Sequence, residues 1–217
     1  MSERLSRKEL LASYIYPVHC PYCKQAIHPD DVACPDCKSK LPDMTYSRFA
    51  IGGIPCVSAL PYTGRYSKAA KLFKFGRRGS FARPFALLML NAVKERYKLS
   101  DFDCVAFVPS RRRVLLRKFP HAWLLARELA QLADLPLEPM LEQFKKNKKQ
   151  HTLKRSQREK NVRGVFRLTD KDAARGKRIL LVDDIITTGN TLGECARLLK
   201  KAGCAEVSCV TVCSTII

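Results

Sequence analysis

The succession of apolar and polar positions divides the chain into blocks that predict strands alternating with helices. Residues 54–60 (Ile-Pro-Cys-Val-Ser-Ala-Leu) form an apolar run of strand length, and Tyr62-Thr63-Gly64 after it reads as a turn. A helical stretch is expected from Ser67, with Leu72, Phe73 and Phe75 on its apolar side and Lys68, Lys71 and Lys74 on a basic face. Gly76-Arg77-Arg78-Gly79 breaks it. A longer amphipathic helix is predicted over 82–98, where Pro84 is tolerated in the first turn. Residues 104–108 (Cys-Val-Ala-Phe-Val) predict a second buried strand, ended by Pro109. A helix over 119–133 carries Trp123, Leu124, Leu125, Leu129 and Leu132 on or near one face, which places Trp123 in the core. Residues 135–141, with Pro136 and Pro139, read as an extended link, and 165–168 as a short strand. The apolar run 179–182 lacks alternation, as in a strand of a parallel sheet buried on both faces. A helix from about Leu192 to Lys201, stopped by Gly203, and a strand over 207–212 complete the series. The expected fold class is α/β, a parallel sheet with flanking helices. The first sixteen residues read as a short polar helix or tail.

The 217 residues suffice for one medium domain and a small module. Lys and Arg total 40 against 20 acidic residues, a net charge of +20. That excess points to polyanionic partners: nucleic acid, anionic lipid or phosphorylated substrates. It is concentrated in Lys145-Lys146-Asn147-Lys148-Lys149-Gln150 and continues through Lys154, Arg155, Arg158 and Lys160, with Glu159 the one acid. A solvated charge run, a hood over a diphosphate and a track for a nucleic-acid strand all fit this segment, while its lack of aromatics does not support base stacking. The charged first twenty residues predict no secretion signal, and no apolar stretch is long enough for membrane insertion. A cytoplasmic location is expected.

Ten cysteines in such a chain favour metal over disulfides where they cluster. Cys20-Pro21-Tyr22-Cys23 and Cys34-Pro35-Asp36-Cys37 are two C-x-x-C knuckles separated by ten residues, spaced to set four thiolates around one tetrahedral ion. Structural zinc is the expected occupant, because four protein ligands leave no open position; iron and a pair of disulfides are the alternatives. The expected division is a four-cysteine zinc-ribbon segment over 1–48 and an α/β domain over 49–217. His19 and His28 are surplus to the ligand set. Cys56, Cys104, Cys195, Cys204, Cys209 and Cys213 read as small buried apolar residues.

The chemistry concentrates after the 179–182 strand, in Asp183-Asp184-Ile185-Ile186-Thr187-Thr188-Gly189-Asn190-Thr191. A polar turn entering a helix N-terminus presents backbone N–H groups and the positive end of the helix dipole, which suit a phosphate dianion. Two carboxylates beside it suit sugar hydroxyls or a cation, so the pattern describes a ribose 5-phosphate site. The alternative is a ligand-free turn with Asn190 or Thr191 capping the helix. Ser110-Arg111-Arg112-Arg113, directly after the 104–108 strand, reads either as a diphosphate-binding loop or as an exposed basic turn.

Residues 178–191 resemble the phosphoribosyl-diphosphate (PRPP) motif of type I phosphoribosyltransferases. Over nearly its full length the chain resembles the ComF family of competence proteins. The resemblance runs through the two cysteine knuckles, then Tyr62, Gly64, Lys71, Lys74 and Phe75, and the strand ending at Pro109 with arginines behind it. It continues with Gln150, Arg158, Asn161, Val162, Gly164 and Phe166. It implies a type I phosphoribosyltransferase-like fold that binds PRPP or a related sugar phosphate with Mg²⁺. Thr187, Thr188, Gly189, Asn190 and Thr191 would cradle the 5-phosphate. Asp183 and Asp184 would be the catalytic acids, on the ribose hydroxyls. Ser110, Arg111, Arg112, Arg113 and Arg158 would meet the diphosphate. It further implies single-stranded DNA and the DNA-import machinery as partners in natural competence. An active transferase using a nucleobase or other small amine is the alternative. Thr187 stands where 6-oxopurine transferases carry an acid, and Arg117-Lys118-Phe119-Pro120-His121 replaces the family's Arg-Gly-Phe-Asn-Gln.

Overall fold

The computed structural model describes residues 17–76, 78–110, 120–145, 162–170 and 172–215. Strands β1 (Tyr46–Ala50), β2 (Ile54–Pro61), β3 (Cys104–Phe107), β4 (Leu141–Gln143), β5 (Phe166–Leu168), β6 (Arg178–Ile186) and β7 (Glu206–Ser214) form two sheets. The larger has the order β1-β2-β7-β6-β3, and β4 with β5 makes a separate antiparallel pair. In the larger sheet β2, β7, β6 and β3 run parallel, and β1 adds antiparallel to β2. The main helices are α1 (Gly64–Phe75), α2 (Ala82–Lys94), α3 (His121–Ala133) and α4 (Asn190–Lys201).

Unalternating apolar strands bury both of their faces. Leu180 and Val182 of β6 pack into one core with Phe73 of α1, Phe85 and Met89 of α2, and Leu125 and Leu129 of α3. Ile179 and Leu181 point the other way, into a second core with Leu192, Cys195 and Leu199 of α4. Three helices thus cover one face and α4 the other, and β6 lies inside the sheet with the carboxyl end of its strand open. The core cysteines behave as small apolar groups: burial pushes the thiols of Cys56, Cys104 and Cys213 up to about 12.

Several local expectations are corrected. α1 begins at Gly64 rather than Ser67, and α2 ends at Lys94 rather than 98. β1 has no counterpart among the expected strands; it is an edge strand with a neighbour on one side only, so Ser47 and Arg48 need no apolar pattern, and Phe49 is exposed. β1 also spans the 48/49 position at which the two parts of the chain were divided, and its hydrogen bonds tie it to the sheet. Trp123 is only half-buried: Ala122, Leu125, Ala126 and Leu129 take the inner face of α3, and Trp123 lies on the flank beneath the Arg127 guanidinium, 5.1 Å from its ring.

Candidate functional site

The strand carrying the acids is longer than its apolar run. β6 continues through Asp183 and Asp184 to Ile186, paired with β7 at Asp183↔Thr211 and Ile186↔Ser214. The acids are therefore part of the strand rather than of the turn after it, and successive strand side chains point to opposite faces. Asp184, 5% exposed, takes the face covered by α1. There the Lys74 Nζ donates to Oδ1 at 2.9 Å and lies 2.8 Å from Oδ2. Asp183 takes the other face, where its charge acts on the buried thiols of Cys56, Cys195 and Cys209. Its Oδ1 accepts from the backbone N–H of Asp184 at 2.8 Å. Burial first, then the adjacent Asp184 charge, push the Asp183 carboxyl up to about 7 against the opposing pull of Lys74. Burial opposes the Lys74 charge, but Asp184 and then Asp183 outweigh it, so its pKa is raised.

Beyond Ile186 the chain turns through Thr187, Thr188 and Gly189 into α4. Gly189 is the N-cap, with φ +74°, and the helix opens at Asn190, two residues before the expected start; neither Asn190 nor Thr191 is the cap. No side chain caps this end. The first helical bond is Gly193 N–H to Gly189 C=O at 2.8 Å, so the preceding N–H groups have no acceptor within the helix. An uncapped N-terminus at the carboxyl end of a parallel strand offers N–H groups and a positive dipole end that suit an anion. Thr187 is exposed, Thr188 and Thr191 are half-buried, and Gly189 and Asn190 are buried.

The β1–β2 turn holds this helix end in place. A Cβ on Gly189 would sit 2.8 Å from Ala50 Cα, and one on Gly193 would sit 2.5 Å from the Ile51 carbonyl oxygen. Both glycines are therefore required by close approach, and Gly189 by its positive φ as well. Gly193→Ala is expected to cost about 1–3 kcal/mol, the range for overpacking against backbone. Urea denaturation reads this directly, and an unchanged midpoint would mean that the turn gives way freely.

β3 runs parallel to β6 with Phe107 opposite Val182, and the Val108 N–H extends the pairing to the Val182 carbonyl at 2.9 Å. Ser110, exposed, thus follows a strand that ends beside the acids. Arg111, Arg112, Arg113 and Arg158 lie outside the described residues, as do Gln150, Asn161 and the basic run from Lys146 to Lys160. Two features went unread in the sequence. Lys74 was placed on a basic face, because no local pattern pairs it with an acid 110 residues away. The Ala50–Ile51 contact with α4 depends on an edge strand that the apolar pattern does not show.

The knuckle cysteines converge: the Sγ atoms of Cys20, Cys23, Cys34 and Cys37 all lie within 4.8 Å of one another. The first knuckle is closed by Cys20 N–H to Gln25 C=O at 2.8 Å and Lys24 N–H to Cys20 C=O at 2.9 Å. The second is the helical turn Pro35–Lys38, with Cys37 and Lys38 N–H groups returning to the Cys34 carbonyl. Burial opposes ionisation of Cys20, but backbone N–H groups of Cys23, Cys34 and Tyr22 outweigh it and bring the thiol down to about 7. Four thiols, three of them buried, fit a thiophilic tetrahedral ion, so the cluster can hold a metal such as zinc. Neither His19 nor His28 belongs to it. The segment docks on α1 and α2. Tyr22 meets Tyr66 edge-on at 5.7 Å beneath Arg65, and Arg83 donates to the Pro29 carbonyl at 2.9 Å.

A mostly parallel sheet, with a strand running through two acids into a glycine-turned helix N-terminus, defines a type I phosphoribosyltransferase-like α/β domain. The model of the phosphoribosyl transferase domain family matches residues 121–216. The DNA utilization protein YhgH of Escherichia coli (strain K12) is 28% identical over 210 residues, covering 91% of this chain and 90% of that protein. Competence protein F of Haemophilus influenzae is 33% identical over 141 residues, 62% of each chain. Competence protein ComFC of Bacillus subtilis (strain 168) is 29% identical over 199 residues, 89% of this chain and 76% of that one. The chain thus resembles competence and DNA utilization proteins of the ComF type over most of its length. Among the described residues no helix is long and apolar enough to cross a membrane.

Proposed function

We propose that this protein binds PRPP, or a related ribose 5-phosphate, and serves DNA uptake in natural competence by binding single-stranded DNA. The observation that carries the sugar-phosphate reading is the uncapped N-terminus of α4 at the carboxyl end of β6. Thr187, Thr188, Gly189, Asn190 and Thr191 would hold the 5-phosphate through backbone N–H and hydroxyl groups. Asp183 would take the ribose hydroxyls, and its charge would favour any positive charge building on the ribose ring. Ser110 with Arg111, Arg112, Arg113 and Arg158 would receive the diphosphate. Both oxygens of Asp184 are held by Lys74, so the two acids do not form an open chelate. Mg²⁺ would arrive on the diphosphate of the ligand. The four-cysteine segment would carry structural zinc as a small module ahead of β1, the strand with which the sheet domain begins. The net charge of +20 and the names of the relatives support a DNA partner on the cytoplasmic side of the import machinery.

Calorimetric titration of PRPP with millimolar Mg²⁺, and separately of ribose 5-phosphate, tests the site. Both are expected to bind. Asp183→Asn is expected to weaken each by roughly 10- to 100-fold, the loss of hydrogen bonds to a charged acceptor. Absence of binding by either ligand overturns the reading. For DNA, fluorescence anisotropy with a labelled oligonucleotide is expected to show log K falling linearly with log salt, with a slope of about −0.7 per phosphate contacted. A salt-independent affinity would remove the electrostatic case for DNA.

A further inference from the structure

The second acid of the strand is covered by a lysine from another element. α1 starts beside the end of β2 and reaches the end of β6 at its last turn, where Lys74 lies over Asp184. The Lys74 side chain is 38% exposed and the Asp184 side chain 8% exposed, so an approaching molecule meets the ammonium before the carboxylate. An ammonium has three N–H donors. Lys74 donates to Asp184 Oδ1 and lies 2.8 Å from Oδ2, so its ammonium keeps donor capacity for a ligand. Asp184 thus fixes the direction in which Lys74 points, and neutralises it while no ligand is bound.

The position of this cation relative to the phosphate loop indicates what it serves. A phosphate on the N-terminus of α4 occupies one face of the sheet, and Lys74 stands at the other face of the same strand end. A ribose 5-phosphate seated on α4 would direct C1 and its substituent away from the loop, across the end of β6. We propose that Lys74, oriented by Asp184, is the cationic contact for the diphosphate of a PRPP-type ligand, and that it selects such ligands over a plain ribose 5-phosphate. The inference rests on the sugar-phosphate reading above. It assigns a charge opposite in sign to the one that the bare Asp-Asp motif predicts at this position.

The test compares three probes by calorimetry: PRPP with Mg²⁺, inorganic diphosphate with Mg²⁺, and ribose 5-phosphate. Lys74→Met is expected to weaken PRPP and diphosphate by roughly 10- to 100-fold, and ribose 5-phosphate by less than about threefold. Lys74→Arg restores the charge and is expected to recover most of the diphosphate affinity. Asp184→Asn leaves the ammonium unoriented and is expected to affect PRPP more than ribose 5-phosphate. Lys74→Met leaves a buried carboxylate without its partner, so Lys74→Gln, which keeps one donor for Asp184, is titrated alongside it should Lys74→Met fail to fold. Unchanged PRPP and diphosphate affinities in the folded variant overturn the proposal. So does equal weakening of all three probes, which marks a purely structural ion pair. The diphosphate titration separates the two readings. Lys74-dependent binding of diphosphate without any binding of ribose 5-phosphate would leave Lys74 as an anion contact and remove the sugar-phosphate site.

Discussion

Stripping the metal from the four-cysteine cluster is expected to unfold residues 18–41 while leaving the five-stranded sheet folded. The apolar core of this segment amounts to Cys20, Ala33, Cys34 and Cys37, with Tyr22 and Ile27 packed against them. So small a core cannot offset the conformational entropy of ordering the segment. Structural zinc in modules of this kind contributes on the order of 10 kcal/mol, which would make a bound ion the main source of local stability. The sheet has two independent cores of its own, one on each face. Hydrogen exchange before and after treatment with a strong chelator should show protection lost across the knuckles and kept in β6 and β7. Elemental analysis should find one zinc per chain in the native protein and none in Cys20→Ser/Cys34→Ser. The docking contacts of Tyr22 with Tyr66 and of Arg83 with Pro29 would be lost with the fold, so a drop of several degrees in the melting temperature of the whole chain is expected. Unchanged exchange protection in the metal-free protein would show that the segment is held by the domain and not by the ion.

Asp183→Asn is expected to stabilise the protein at pH 8 and to do almost nothing near pH 4. The folded protein holds this carboxyl at about 7 against an ordinary value of 3.8, chiefly by burial and then by the charge of Asp184. A group whose pKa is raised on folding binds more protons in the folded state than in the unfolded one. Its contribution is fully present below pH 3.8 and is lost as pH rises towards 7. Above that range the folded state must keep a charge that its surroundings disfavour, a cost on the order of a few kcal/mol. Asparagine has no such charge. The difference in denaturation midpoint between variant and wild type should therefore grow from pH 4 to pH 7 and level off beyond. A constant difference across that range would show that Asp183 is not strained by its charge. The same substitution is expected to weaken sugar-phosphate binding, so stability and binding should move in opposite directions, as they do at sites where function holds an unfavourable group in place.

The legible parts of this fold are those whose cause is local. The run 179–182 declared a doubly buried strand because four unbroken apolar residues can satisfy both faces of a sheet, and Ile179/Leu181 and Leu180/Val182 divide between the two cores as that requires. The two C-x-x-C spacings marked the four-thiol cluster, since each turn is closed by its own backbone hydrogen bonds and brings its pair of thiols together. The strand–turn–helix order after β6 was legible because a strand, a small polar turn and a helix start follow one another without interruption. Its details were less so: propensity marks Asn190 and Thr191 as caps, while the fold gives that place to Gly189, whose backbone alone takes φ +74° at no cost and fits against Ala50.

By itself, then, the sequence determined the alternation of strands and helices, the four-thiol cluster, the polar turn into a helix N-terminus and the excess of positive charge. Each of these is a matter of short-range pattern or composition. The tertiary structure decided how the two acids divide, because only the continued pairing of β6 with β7 turns Asp183 and Asp184 to opposite faces. It also decided the sign of the charge offered to a ligand beside Asp184. Lys74 comes from a helix 110 residues earlier in the chain, and an ion pair at such separation is set by the packing of α1 across the sheet rather than by any neighbouring residue.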